Sequence, residues 1–302
     1  MAIGVDFGGT KIEAVYLDEA GQERVRIRVP TPRHDYEGSV RAVAALIARV
    51  ESEAGAPEAP VGIGIPGSVA PDTGLVRNGN TVWTIGRPFD RDIATAIGRP
   101  VRMENDANCF ALSEATDGAG AGAGSVFGVI LGTGVGGGLV IGGRLVGGAR
   151  GVAGEWGHIP LVATEPDELG GPVCFCGRQG CLEVWLSGPG LEADFARSVG
   201  VGEGPGAAEI AALAAEGDPE AQAALDRHAR RLARMLGVVI NIVDPEVIVM
   251  GGGLSNMAHL YRDLPDLVRP HVLAEGAEVT IRPARHGDSS GVRGAARLWE
   301  AS

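Results

Sequence analysis

Lysine is almost missing from this 302-residue chain: among its 26 basic residues only Lys11 is a lysine, and the rest are arginine. Position 11 is therefore a place where lysine has stayed against a strong arginine bias. An excess of positive charge is missing too, because 38 acidic residues outnumber the basic ones and leave a net charge of −12. That balance argues against a nucleic-acid footprint. Apolar runs are broken by glycine or charge well short of ~20 residues, so no membrane span is expected. The first residues show no basic region followed by an apolar run and a cleavage site, so no secretory signal is expected. Cysteine is scarce, and three of the four cysteines fall at 174, 176 and 181. Such clustering fits a reduced compartment better than a disulfide framework, and the cytoplasm is the expected location. What remains, 45% hydrophobic and 21% charged residues, is the composition of a soluble globular chain. Its length suffices for one large domain or two smaller ones.

Several segments have readable structure. Ile3 to Phe7 is an apolar strand entering a glycine turn, and Ile12 to Leu17 alternates as the returning strand of a hairpin. Val40, Val43, Ile47 and Val50 recur at helical spacing within 35–53, and Gly55 ends that helix. Val61 to Ile65 is a buried strand stopped by Pro66-Gly67. Asp106 to Thr116 predicts a helix entered from a polar turn, and the glycine-rich 117–124 predicts a flexible hinge. A second strand–glycine–strand unit follows: Val126 to Leu131, a turn over Gly132–Gly138, then Leu139 to Ile141. A long helix is expected from Pro219 to about Val243, ended by Asp244-Pro245, before a strand Val247–Met250 runs into Gly251-Gly252-Gly253. The tail from Gly291 to Trp299 is expected to be a helix packed on the first domain. Strands that enter glycine turns in both halves suggest a duplicated α/β architecture around a cleft, with ligands at strand ends where backbone amides are free.

Four segments carry candidate chemistry. Asp6-Phe-Gly8-Gly9-Thr10-Lys11 puts an acid, amide donors, a hydroxyl and a cation within one turn. It is either an ordinary hairpin turn or a polyphosphate cradle, and it lacks Walker A spacing. Gly132, Thr133, Gly134 and Gly136 form a second candidate cradle, and Gly251–Gly253 offer bare backbone for an adenine ring. Glu104-Asn105-Asp106-Ala-Asn108 is either an Asx turn with a helix cap, or a site in which Asp106 is a general base and Asn105 binds a neighbouring hydroxyl. His158, Cys174, Cys176 and Cys181 supply one nitrogen and three sulfurs, a set suited to tetrahedral zinc. Four protein ligands leave no open position, so that zinc would be structural, while Glu155 and Glu183 bracket the cluster. Cys109 reads as a small core residue. Asn78-Gly-Asn80-Thr-Val-Trp83 is either a turn with a buried aromatic or an edge-and-face partner for a sugar.

On these residues the chain closely resembles the bacterial ROK sugar kinases over essentially its full length. The likeness rests on Asp6–Lys11, Glu104–Asn108, Gly132–Gly138, Gly154-Glu-Trp-Gly-His158 and Cys174-x-Cys176-x4-Cys181-Leu-Glu183. The resemblance implies an α/β, two-lobed, actin-like (ribonuclease H-like) fold, a duplicated mixed-sheet domain with ATP in a central cleft. It implies Asp106 as catalytic base on a hexose 6-hydroxyl. Gly67, Asn80, Asn105, Glu155, His158 and Glu183 would contact the sugar, with His158 also on zinc. The first lobe is expected over 1–107 with a C-terminal helix at about 289–302, and the larger lobe over 108–288. ATP with Mg2+, structural Zn2+, a homodimer, and neither nucleic acid nor membrane as partner complete the expectation. The segments Asn78–Asp90 and Arg285–Ala296 look most like the fructokinase (manno-fructokinase) branch, which makes fructose the expected sugar. N-acetylglucosamine kinases share Thr31-Pro-Arg33 and Gly132–Gly138 and supply the alternative, with a broader glucose/mannose kinase beside them. A sugar-responsive repressor is disfavoured by the acidic charge and by a phosphate motif starting at Asp6, and a catalytically dead sugar sensor by the presence of Asp106 and all three glycine turns.

Overall fold

A computed structural model describes residues 1–162, 164–274, 276 and 278–300; the end of the tail helix expected at 301–302 lies outside them. Compactness divides the chain into two units, the first made of 1–124, 138–154 and 285–302, the second of 125–137 and 155–284. This differs from a boundary after 107, since 108–124 and 138–154 pack with the first unit.

In chain order the elements are β1 (Ala2–Phe7), β2 (Lys11–Leu17), β3 (Glu23–Pro30), α1 (Tyr36–Ala54), β4 (Val61–Ile65), β5 (Ser68–Val69), β6 (Val76–Arg77), α2 (Phe89–Ile97), β7 (Val101–Asn105) and α3 (Asp106–Thr116). Next come β8 (Ser125–Leu131), β9 (Val135–Ile141), β10 (Arg144–Leu145), α4 (Glu183–Leu186), α5 (Gly188–Val199), α6 (Ala207–Ala215) and α7 (Pro219–Val243). β11 (Val247–Gly251), α8 (Ala258–Val268), β12 (Ile281–Pro283) and α9 (Ser290–Arg297) complete the chain.

The first unit is built on a mixed sheet of order β3-β2-β1-β4-β7. β1, β2 and β3 form an antiparallel meander, while β1, β4 and β7 run parallel. α1 lays Val40, Val43, Leu46, Ile47 and Val50 on this core. Its ends follow from the sequence, because the Asp35 side chain accepts the Gly38 N–H at 2.8 Å and Gly55 takes the left-handed conformation at φ 63°. The expected tail helix is α9, and it lies against β1 and β4 at Gly4 and Gly62, where a Cβ would collide with the Val292 and Ala295 carbonyls. Cys109 is fully buried beside it, as a core residue should be.

The second sheet has the order β10-β9-β8-β11-β12, with β8, β11 and β12 parallel and β9 antiparallel to β10. Two expectations need correction. β9 begins at Val135, so Gly136–Gly138 are strand and not turn. The stretch after Thr116 is a series of hydrogen-bonded turns held by buried Glu114, whose carboxylate accepts from Ala119, Arg285 and His286 N–H and from Ser290 Oγ at 2.7–3.2 Å. Those bonds tie it to the tail helix within the first unit, whose segment ends just after it at Gly124, so it is held chain and not a loose linker.

Candidate functional site

In the first unit the candidate residues gather at the carboxyl ends of the parallel strands. The register pairs Asp6 with Gly64 and Ile65 with Asn105, so the turns after β1, β4 and β7 lie side by side. Gly8, Gly9 and Thr10 make the hairpin turn: Gly8 N–H donates to the Lys11 carbonyl at 3.0 Å, and Thr31 Oγ donates to the Gly8 carbonyl at 2.7 Å. Lys11 is half exposed, with Nζ 3.9 Å from buried Glu13, which also binds Arg26 and Arg28. Burial pushes the Asp6 carboxyl up from its ordinary value, against the pull of Lys11 and Arg28.

Gly67, at φ 84°, packs its backbone against Arg77 and Gly79, which brings 78–80 alongside; Asn80 is exposed there. The Gly67 carbonyl accepts the Asn105 amide at 2.9 Å. Asn105 Oδ1 caps α3 by accepting from Ala107 and Asn108 N–H at 2.9 and 3.3 Å. The capping alternative is thus real, and it leaves one amide proton of Asn105 for another partner. Asp106 is the first residue of α3, with Oδ1 accepting from Ala107 N–H at 2.8 Å.

In the second unit β8 and β11 are adjacent and parallel, with Gly251 opposite Ile130, so both glycine turns emerge at one sheet edge. Gly132, Thr133 and Gly253 line a cavity of about 990 Å³. Its other walls were not legible as chemistry: Gly188, Pro189 and Glu192 of α5, Ala207, Ala208 and Ala211 of α6, Leu225 of α7, and Met257–His259 at the start of α8. Eight of its sixteen lining residues are glycine or alanine, which suits a flat ring laid on bare backbone. The Ser187-Gly188-Pro189 turn was the available signal, and Gly188 N–H donates to the Gly132 carbonyl at 2.8 Å. Gly252, at φ 83°, is pressed on Leu131, while Gly136 lies within β9 and accepts the Trp156 indole N–H at 2.8 Å.

His158, Cys174, Cys176 and Cys181 place their ligand atoms within 4.8 Å of one another. His158 Nδ1 is 3.6 Å from Cys174 Sγ, and Cys176 Sγ is 3.6 Å from Cys181 Sγ. A tetrahedron with Zn–S bonds near 2.3 Å has edges of about 3.8 Å, so this donor set fits zinc in number, softness and spacing. Burial pushes the Cys174 thiol up and Cys181 to about 12, whereas the Arg178 amide draws Cys176 down. Glu155 opens the short turn that carries His158, and its carbonyl accepts the His158 N–H at 3.2 Å. Glu183 begins α4 beside the cluster: Oε1 lies 3.8 Å from Cys174 Sγ, and Oε2 accepts the Val135 N–H at 3.1 Å. A Cβ at Gly134 would sit 2.6 Å from that same oxygen, so a side chain there would push the Glu183 carboxylate aside.

The family model described as ROK family matches residues 2–302. An N-acetyl-D-glucosamine kinase of Yersinia pseudotuberculosis is 41% identical over 302 residues, covering 99% of this chain and 98% of that protein. The crystal structure of a ROK hexokinase from Thermus thermophilus superposes with a TM-score of 0.86 at 36% identity, over 98% of this chain and 96% of that one. A ROK family glucokinase from Streptomyces griseus, solved with glucose and AMPPNP, gives 0.77 at 32% identity and 98% coverage of both chains. Two α/β units on mixed sheets are the two-domain actin-like ATPase fold expected from the resemblance. Among the described residues no helix is long and apolar enough to cross a membrane.

Proposed function

The chain belongs to the ROK family of sugar kinases, and from that premise we propose that it transfers the γ-phosphoryl group of ATP to the 6-hydroxyl of N-acetyl-D-glucosamine. The observation that carries the choice of sugar is the 41% identity to N-acetyl-D-glucosamine kinases over almost the whole of both chains. This favours the alternative over fructose, whose support was the likeness of 78–90 and 285–296 to the fructokinase branch. The structure gives the second of those segments a structural duty, since Arg285, His286 and Ser290 donate to Glu114.

The roles divide among the candidate residues. Asp106 accepts the hydroxyl proton while the sugar oxygen bonds to the γ-phosphorus and the bond to the β–γ bridging oxygen breaks, releasing ADP. Asn105 donates its remaining amide proton to a hydroxyl, and Gly67 and Asn80 border that side. Glu155 and Glu183 hold hydroxyls as acceptors, while His158, with one ring nitrogen on zinc, donates its other N–H to a hydroxyl oxygen. Asp6, with Gly8, Gly9, Thr10 and Lys11, receives the magnesium–phosphate end of the nucleotide, while Gly132, Thr133 and Gly134 line its phosphate path. The adenosine end occupies the cavity beside Gly252 and Gly253. Gly136 and Gly251, each inside a strand, act by shaping these turns. His158, Cys174, Cys176 and Cys181 would hold a structural zinc, whose part is to fix the loop. A coupled ADP-release assay over a panel of hexoses and hexosamines tests the proposal, and absence of turnover with every sugar and MgATP overturns it.

A further inference from the structure

α7 carries two buried arginines whose partners lie on both sides of the cysteine cluster. Arg231, 1% exposed, donates from Nε to Glu168 Oε1 at 3.0 Å and from Nη1 to Asp194 Oδ1 at 2.7 Å. Its guanidinium also covers the Trp185 ring, 4.6 Å from the centroid. Arg234 donates to both Glu168 oxygens at 2.7 Å and from Nε to the Val162 carbonyl at 3.1 Å. Glu168 completes the set by accepting the Thr164 N–H at 2.9 Å. Along the same helix face, His228 Nε2 lies 3.0 Å from the Leu186 carbonyl.

These contacts bracket the three cysteines and lie close to the residues on either side, His158 and Glu183. Val162 comes four residues after His158, and Trp185 comes two after Glu183. The long helix therefore grips the cluster loop where it enters and where it leaves. Buried ion pairs of this kind are poor sources of net stability, because apolar side chains of the same volume usually do as well. What a planar guanidinium with fixed donors supplies is direction.

We propose that Arg231 and Arg234 are positioning residues: through Glu168, Val162 and Trp185 they hold the loop so that His158 and Glu183 meet the sugar in a set geometry and the cluster retains its zinc. The proposal rests on the sugar-kinase reading above for its kinetic arm, and on the donor set alone for its metal arm.

The test compares Arg231→Met, Arg231→Lys and Glu168→Gln with Arg230→Met, which removes an exposed arginine from the same helix. Initial rates give KM for sugar and for MgATP separately, and zinc loss to a chromogenic chelator is followed on the zinc-loaded proteins without substrate. Misplaced supports of a binding loop change affinity by about 10–100-fold, so Arg231→Met and Glu168→Gln should raise sugar KM and speed zinc loss by about tenfold. KM for MgATP should rise by less than KM for the sugar, Arg231→Lys should recover part of the loss, and Arg230→Met should match wild type. Unchanged sugar KM and zinc loss overturn the proposal. So do equal losses in sugar KM, MgATP KM and kcat that follow only the fall in melting temperature. Wild-type protein without sugar turnover would overturn the functional reading instead, and the zinc measurement would still decide the positioning role.

Discussion

The backbone N–H of Val135 donates to Glu183 Oε2 at 3.1 Å, so a carboxylate assigned to the sugar is anchored on the strand that leaves the glycine turn assigned to phosphate. The other oxygen of Glu183 reaches Cys174 Sγ at 3.8 Å. One side chain thus joins the cysteine cluster beside it in the sequence to a glycine turn far upstream.

Glu183→Ala should therefore raise KM for both the sugar and MgATP, each by about tenfold, since it removes a ligand contact and leaves the Val135 N–H without its acceptor. Glu155→Ala should raise only the sugar KM. Two-substrate initial-rate analysis separates the patterns.

Asp106→Asn removes the proton acceptor and keeps the shape of the first turn of α3. It should lower kcat by about 10²–10⁴-fold, while sugar affinity by calorimetry stays within about threefold of wild type. A variant with full turnover would remove Asp106 from the mechanism.

Metal content gives a third prediction. The protein should contain one zinc per chain, and Cys176→Ser or a strong chelator should lower melting temperature and sugar affinity together, because the ion fixes a loop without touching the reacting atoms. Turnover abolished with affinity and melting temperature intact would show a catalytic metal.

Stability should fall with acid in two windows. Burial lowers the His228 imidazole from 6.5 to about 4, so the unfolded chain binds a proton first and stability declines as pH drops from 6.5 towards 4. Burial raises the Glu168 carboxyl, but the Thr164 amide and the two arginines outweigh it and hold it at about 2, below its ordinary 4.5. Its contribution is full above 4.5 and is lost as pH falls towards 2. Urea midpoints across this range should flatten in the upper window for His228→Phe. Glu168→Gln should lower stability by about 3–5 kcal/mol at neutral pH, since it leaves buried Arg231 and Arg234 without their shared charge.

Elements with a strong period and explicit ends were legible from sequence. α1 lies between Asp35 and Gly55, and α7 between Asp218 and Asp244-Pro245, each with an apolar face in register with its core. The cysteine spacing was legible because few other folds of four soft donors make sense. What stayed hidden lacked a chemical signature or had a misleading one. α5 and α6 wall the large cavity mostly with glycine and alanine, which carry no functional group to notice, and the one carboxylate among them, Glu192, sits in no motif. Arg231 and Arg234 look like a solvated face until Glu168 and Asp194 arrive from elsewhere in the chain. The glycines after Thr116 suggested freedom, yet Glu114 and the tail more than 160 residues later hold that region.

The sugar is decided most directly by kcat/KM for N-acetyl-D-glucosamine against D-fructose and D-glucose, measured with MgATP on one zinc-loaded preparation and with the phosphorylated carbon assigned by NMR. The proposed function requires N-acetyl-D-glucosamine to lead by at least about tenfold, a difference of about 1.4 kcal/mol in transition-state binding, with phosphate on the 6-oxygen. A higher kcat/KM for fructose, or no turnover of any of the three, would contradict it.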